Sequence, residues 1–111
     1  DDAYAGSQSY MRLEEAIQEY LAVLKLQPDD INAHNNLGIA YSRQGRFEKA
    51  IPEYLAVLKL QPDDINAHNN LGNVYKLRGL KNEARKQFEM VLKLKPDFIP
   101  AQKALESLTS R

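Results

Sequence analysis

An exact internal repeat constrains this 111-residue chain more than any other feature. The twenty residues Glu19–Gly38, EYLAVLKLQPDDINAHNNLG, recur without a change at Glu53–Gly72, which sets a period of 34 residues. Partial copies extend the period in both directions, as at Ala16, Ala50 and Ala84. A fixed period of this length indicates a helical array in which each repeat packs on its neighbours.

Each full repeat resolves into two amphipathic helices. Apolar or small residues recur at helical spacing from Ile31, and Gly45 ends this first helix because glycine tolerates the conformation that closes a helix. A second apolar stripe begins at Phe47 and ends before Pro62. In total the sequence predicts six helices, and the remaining four lie near residues 12–26, 65–78, 81–94 and 100–108.

The same periodicity divides the chain into segments. Residues 1–9 carry no apolar stripe, and we expect them to be frayed or an expression remnant. Residues 10–110 form the predicted repeat domain, with a half repeat (10–30), two full repeats (31–64 and 65–98) and a capping helix (99–110). The half repeat has no first helix to cover its apolar stripe at Leu13 and Ile17, so we expect an uncovered apolar surface there.

Composition and charge exclude several classes of protein. The absence of cysteine excludes disulfides and thiolate chemistry. No apolar run approaches the roughly 20 residues that span a bilayer. We therefore expect a soluble protein without a membrane partner, and a cytoplasmic location is favoured. A net charge of zero argues against a nucleic-acid partner.

The charge is unevenly distributed along the chain. Residues 1–64 carry 11 acids and 6 bases, a net charge of −5, whereas residues 65–111 carry 4 acids and 9 bases, a net charge of +5. Such polarity is typical of a solvated surface, and it also fits head-to-tail self-association.

Motifs for catalysis or metal binding do not occur in the sequence. The pairs Asp29–Asp30 and Asp63–Asp64 fall just before predicted helices, where we expect carboxylates to cap helix N-termini. His34 and His68 are one repeat apart, which in stacked helices is about 8–10 Å and too far for a shared zinc ion. We expect no enzyme activity, no metal and no cofactor.

Both full repeats share a Leu-Gly pair followed by a tyrosine, an alanine, an aromatic residue and a proline. This pattern resembles the tetratricopeptide repeat signature, and the residues that carry it are Leu37, Gly38, Tyr41, Ala50, Tyr54 and Pro62, then Leu71, Gly72, Tyr75, Ala84, Phe88 and Pro96. The resemblance covers roughly residues 11–108. It implies an all-α fold, a right-handed superhelical array of antiparallel helix pairs, in which the first helices line a concave groove that receives a peptide or partner segment. His34 and His68 replace an aromatic residue usual in this family, and we expect them to be packing residues.

Asparagines are concentrated on the first helices, opposite the Leu-Gly pair. Asparagine is up to about 0.7 kcal/mol less favourable in a helix than alanine, and its amide can pair with both the N–H and the C=O of a foreign backbone. Asn36 and Asn70 resemble the asparagine ladder of the O-GlcNAc transferase superhelix and related bacterial arrays, which implies that they grip a peptide backbone. Asn32 and Asn66 instead fit the capping or solvation of helix starts. The candidate peptide-binding residues are Asn35, Asn36, Ile39, Arg43, Asn69, Asn70, Asn73 and Lys76.

These observations predict a protein–protein interaction module that binds a peptide or partner segment in its groove. The carboxylate clamp of the chaperone-binding branch of the family is absent, because the matching positions hold Asn35 with Ile39 and Asn66 with Asn70. One alternative is a self-assembling structural repeat. Another is a designed or consensus-like scaffold, suggested by the exact duplication, which a recent gene duplication explains equally well.

Overall fold

The computed structural model describes the backbone of residues 2–109 and the side chains of residues 9–109. These residues form six α-helices and no strand, which confirms the predicted all-α fold. The helices are α1 (Asp2–Leu26), α2 (Ile31–Arg43), α3 (Phe47–Leu60), α4 (Ile65–Leu77), α5 (Lys81–Leu94) and α6 (Ile99–Thr109). None of them is long and apolar enough to cross a membrane.

Two glycines end the first helices α2 and α4. Gly45 has a φ of 74° and Gly79 a φ of 80°, the left-handed conformation that other residues rarely adopt. After α2 the amide of Arg46 donates to the carbonyl of Tyr41 at 2.8 Å, and an equivalent bond follows Gly79. This pattern of bonds is the Schellman motif, and it places each helix end where the sequence predicted it.

The first helix, α1, is longer than the sequence predicted. It begins at Asp2 and runs for 25 residues, so residues 2–9 differ from the frayed segment that we expected. The cause is Met11, which stands one period before Gly45, at the place where the other first helices end. Methionine disfavours the left-handed conformation and is a good helix former, so the helix continues through this position.

The chain divides into two compact units, and the first comprises residues 1–56. Here α1 packs on α2. Gly38 lies so close to the ring of Tyr54 that a Cβ at residue 38 would come within 2.7 Å of the ring atom Cε1. The buried residues of this unit are Ile17, Ala33, Leu37, Gly38, Ala40, Tyr41, Ala50 and Tyr54. Because Ile17 is only 2% exposed, the expectation of an uncovered surface at this residue is wrong.

The second unit comprises residues 57–111, where α4 packs on α5 and α6 packs on both. The glycine contact recurs, because a Cβ at Gly72 would come within 2.8 Å of the Phe88 ring. One core cluster joins α5 to α6, and it contains Ala84, Phe88, Val91, Ala101, Ala104 and Leu108.

Carboxylates cap both first helices as predicted. Oδ1 of Asp30 accepts a hydrogen bond from the amide of Ala33 at 2.8 Å, and Oδ1 of Asp64 accepts one from the amide of Ala67 at 2.9 Å. Each bond satisfies an amide that has no partner within the helix. These caps fix where α2 and α4 begin.

Candidate functional site

The eight predicted binding residues lie on α2 and α4, and none belongs to the buried core. Those that are exposed are Asn36, Arg43, Asn73 and Lys76. Those that are partly buried are Asn35, Ile39, Asn69 and Asn70. Because the neighbouring Leu-Gly pairs are buried, each first helix presents these residues on the side away from its own core.

Asn36 and Asn70 keep their amide groups free. Neither side chain makes a hydrogen bond among the residues that the structure describes. Each amide therefore retains two donors and an acceptor for a ligand. An amide of this kind can pair with a peptide backbone without displacing an internal contact.

Asn35 and Asn69 differ from them. The Oδ1 atoms of both are shielded from solvent and accept no hydrogen bond within the described residues. A buried acceptor without a partner costs about 1–3 kcal/mol. These two oxygens can accept a bond from a ligand only if the amide rotates, which makes Asn35 and Asn69 weaker candidates than their neighbours.

His34 uses both ring nitrogens within the first unit. Its Nε2 lies 2.7 Å from the carbonyl oxygen of Pro28, and its Nδ1 lies 2.7 Å from Oε1 of Glu53. Since a carbonyl and a carboxylate can only accept, both contacts are satisfied when both ring nitrogens donate, which is the protonated form of the ring. Burial opposes that charge, but the bonds to Glu53 and Pro28, together with the charges of Glu53 and Asp29, outweigh it and raise the pKa of His34.

His68 makes the equivalent contacts in the second unit. Its Nε2 lies 2.7 Å from the carbonyl of Pro62, and its Nδ1 lies 2.7 Å from Oε1 of Gln87. An amide partner can donate once it rotates, so a neutral ring also satisfies this site. Both histidines join the turn before a first helix to the following second helix, which is a structural role.

A cleft in the first unit was missed by the sequence analysis. It has a volume of about 390 Å³ and is lined by Ser9, Arg12, Leu13 and Arg43. Arg43 was a predicted binding residue and Leu13 lay on the expected uncovered apolar surface, but Ser9 fell in the segment that was expected to be frayed. The signal for Ser9 was Met11, because a helix that continues through Met11 places Ser9 on the same helix as Leu13. Among the described residues, no group of three or more side chains could hold a metal ion.

Comparisons with known proteins identify the type of repeat. A sequence model described as "TPR repeat" matches residues 12–45 and 42–79, and one described as "Tetratricopeptide repeat" matches residues 65–98. No curated protein sequence gives a significant match.

Several solved structures have the same fold. The first TPR of Spaghetti (RPAP3), bound to the HSP90 peptide SRMEEVD, is 24% identical with a TM-score of 0.84, over 97% of this chain and 83% of that one. The second TPR domain of human RPAP3, in complex with the HSP70 peptide SGPTIEEVD, is 24% identical with a TM-score of 0.85, over 99% and 92%. YrrB, a TPR protein with an unusual peptide-binding site, is 20% identical with a TM-score of 0.81, over 86% of this chain and 50% of that one. Identities this low establish the fold alone.

Proposed function

Because this chain belongs to the tetratricopeptide repeat family, we propose that it is a protein-interaction module that binds an extended peptide through the outward faces of α2 and α4. The proposal concerns binding and not catalysis. The observation that carries it is the free amide of Asn36, on the exposed side of α2, with a second free amide at Asn70 on α4.

These amides weaken their helices, but they can form hydrogen bonds with a ligand. Asparagine weakens a helix by up to about 0.7 kcal/mol relative to alanine, and neither side chain recovers that energy through an internal hydrogen bond. An amide can donate to a backbone carbonyl and accept from a backbone amide at the same time. A ligand held in this way is recognised by its extended backbone, so the asparagine-ladder mode is the binding mode that we propose.

Related structures support a peptide as the ligand class. Two of the similar structures hold short peptides that end in EEVD. This chain carries Asn66 and Asn70 where the chaperone-binding branch of the family needs lysine and arginine. We therefore propose a peptide ligand recognised through its backbone, and not an acidic C-terminal tail.

The experiment selects decapeptides from a displayed random library on the parent protein and then measures the Kd of one selected peptide. Asn36→Ala combined with Asn70→Ala should weaken binding roughly ten-fold, because each lost hydrogen bond is worth about 0.5–1.5 kcal/mol. The matched control is Asn32→Ala combined with Asn66→Ala, two exposed asparagines on the same helices. Equal affinities for the parent and the Asn36/Asn70 variant would refute the proposal.

A further inference from the structure

The cleft in the first unit is a corner that forms where α1 extends past the end of α2. The four-residue turn between the two helices makes them antiparallel. Gln44 and Arg46, just after α2, donate to Oε1 of Glu14, so the part of α1 before Glu14 lies beyond α2. This part is helical because α1 continues through Met11. We refer to the residues that line the cleft as the corner cleft: Ser9, Arg12, Leu13 and Arg43.

The corner cleft combines cationic, polar and apolar side chains. Two of its four residues are arginines, Ser9 adds a hydroxyl group, and Leu13 adds an apolar wall. Leu13 is partly buried, whereas the other three residues are exposed. The volume of about 390 Å³ falls within the range of about 300–1,000 Å³ that is usual for ligand sites. These features suit one charged group of a ligand together with the aliphatic stem that carries it.

The two arginines of the corner cleft have no anionic partner. Among the described residues, neither Arg12 nor Arg43 makes an ion pair or a hydrogen bond. Arg46 of the same unit differs, because its Nη1 lies 2.9 Å from Oε1 of Glu14 and its guanidinium lies over the ring of Tyr41. The helix dipole favours Arg43 in the last turn of α2, but it gives no reason for Arg12 in the middle of α1. Both guanidinium groups therefore keep all their donors for a ligand.

We propose that the corner cleft binds a carboxylate side chain, an aspartate or a glutamate, of the peptide that α2 and α4 hold. A guanidinium and a carboxylate form paired, charge-assisted hydrogen bonds. Arg43 follows Asn36 by seven residues, so both lie on one side of α2, about 10 Å apart along the helix. About three residues of extended peptide cover that distance. The inference rests on the proposed function and adds a side-chain preference to it.

The acidic surroundings of the corner cleft limit the charge of its ligand. Residues 1–64 carry a net charge of −5, which opposes every anion at long range. Salt screens this repulsion beyond about 8 Å at physiological ionic strength, whereas hydrogen bonds inside the cleft act at contact. A carboxylate carries a single negative charge, and a phosphoryl group carries about −1.5 to −2. We therefore expect a single carboxylate with uncharged neighbours, and neither a phosphorylated nor an acid-rich segment.

The test repeats the library selection on the parent and on Arg12→Gln combined with Arg43→Gln. Glutamine keeps a polar side chain at both positions but removes the charge. Peptides selected on the parent should share an aspartate or glutamate at one position, and those selected on the variant should not. The matched control is Lys25→Gln combined with Lys59→Gln, which removes the same charge at exposed positions outside the cleft. It should select the same acidic position as the parent.

Affinities for one selected peptide give a second and stricter readout. Exchange of its acidic residue for the uncharged amide should weaken binding to the parent at least about ten-fold, and binding to the arginine variant less than about two-fold. Because both arginines are exposed, the variant should keep the Tm of the parent. If thermal unfolding shows that it does not, Arg12→Gln alone decides in its place. A peptide with phosphoserine at that position should bind less tightly than the glutamate peptide, and tighter binding would overturn the assignment of a carboxylate.

The outcomes separate this inference from the proposed function. If Asn36→Ala with Asn70→Ala weakens binding but the arginine variant does not, the corner cleft is overturned and the proposed function stands. An equal loss of affinity in the lysine control would reduce the effect to net charge and would also overturn the cleft. A selection that yields no peptide on the parent would refute the proposed function, and the inference with it.

Discussion

Gly38 and Gly72 allow a first helix to lie directly on an aromatic ring. The ring beneath each is almost fully buried, so it has no room to move when a side chain is added above it. Packing therefore requires glycine, which has only a hydrogen atom in place of a side chain, at both positions. Inside a helix each glycine lowers stability by roughly 0.5–1 kcal/mol relative to alanine.

Replacing Gly72 with leucine tests this contact. The added side chain would start within 2.8 Å of the Phe88 ring, and overpacking of this kind costs about 1–3 kcal/mol. The control Lys86→Ala, at an exposed position of α5, should stay within about 0.5 kcal/mol. Urea unfolding measures both, and equal destabilisation would mean that the helix faces are assigned wrongly.

The imidazolium of His34 links folding to pH. Because its pKa is raised in the folded chain, the folded state holds the proton more tightly than the unfolded state. This stabilisation is fully present below the unfolded pKa of about 6.5 and is lost as the pH rises through the folded value. We expect the Tm to fall between about pH 6 and pH 8.

Glu53→Gln is the matched variant for this effect. It gives His34 the same kind of partner that His68 has in Gln87. The variant should therefore lose most of the dependence of Tm on pH in that range. If its Tm changes with pH as much as that of the parent, the pair of His34 and Glu53 is not the source.

The sequence predicted the face of the candidate site but not the state of its amides. Helical spacing placed Asn35 and Asn36 together opposite Leu37, and the structure keeps both out of the buried core. Spacing alone could not show that Oδ1 of Asn35 is shielded and unpaired while the amide of Asn36 is free. That difference depends on the rotation of each side chain within its surroundings.

At the scale of elements, the helices were predictable wherever a residue type forces the backbone to turn. Gly45, Gly79 and the capping residues Asp30 and Asp64 fix the ends of α2 and α4. The sequence does not predict the start of α1, because residues 2–9 carry no apolar stripe. Residues 2–9 are nevertheless helical, because Met11 does not adopt the left-handed conformation with which Gly45, one period later, ends α2.

The left-handed turn at Gly45 can be tested by substitution. No atom lies within 4 Å of a Cβ built there, so any cost is conformational and not steric. Gly45→Ala should destabilise the chain by about 1–2 kcal/mol, whereas Gly45→Asn should cost less because asparagine tolerates this conformation. Thermal unfolding compares the two variants, and an alanine variant as stable as the parent would rule out the Schellman turn as a constraint.

At the scale of the whole molecule, stability in a repeat array is a sum of local contacts and not the property of one core. Segments with the same sequence can therefore differ in stability when their neighbours differ. This chain contains such a pair, because Glu19–Leu26 in α1 and Glu53–Leu60 in α3 have the same eight residues. In the first segment Tyr20 is partly buried and Val23 is 38% exposed, whereas the corresponding Tyr54 and Val57 of the second are buried.

Amide hydrogen exchange followed by NMR turns this pair into an internally controlled measurement. From the second residue of each segment onward the local sequence is the same, so a difference in rate reflects local opening and not chemistry. We expect the amides of residues 20–26 to exchange at least about ten-fold faster than those of residues 54–60, which corresponds to about 1.4 kcal/mol of opening free energy. Equal rates would contradict the argument that local burial sets local stability in this array, because two chemically matched segments would then be equally protected despite their different burial.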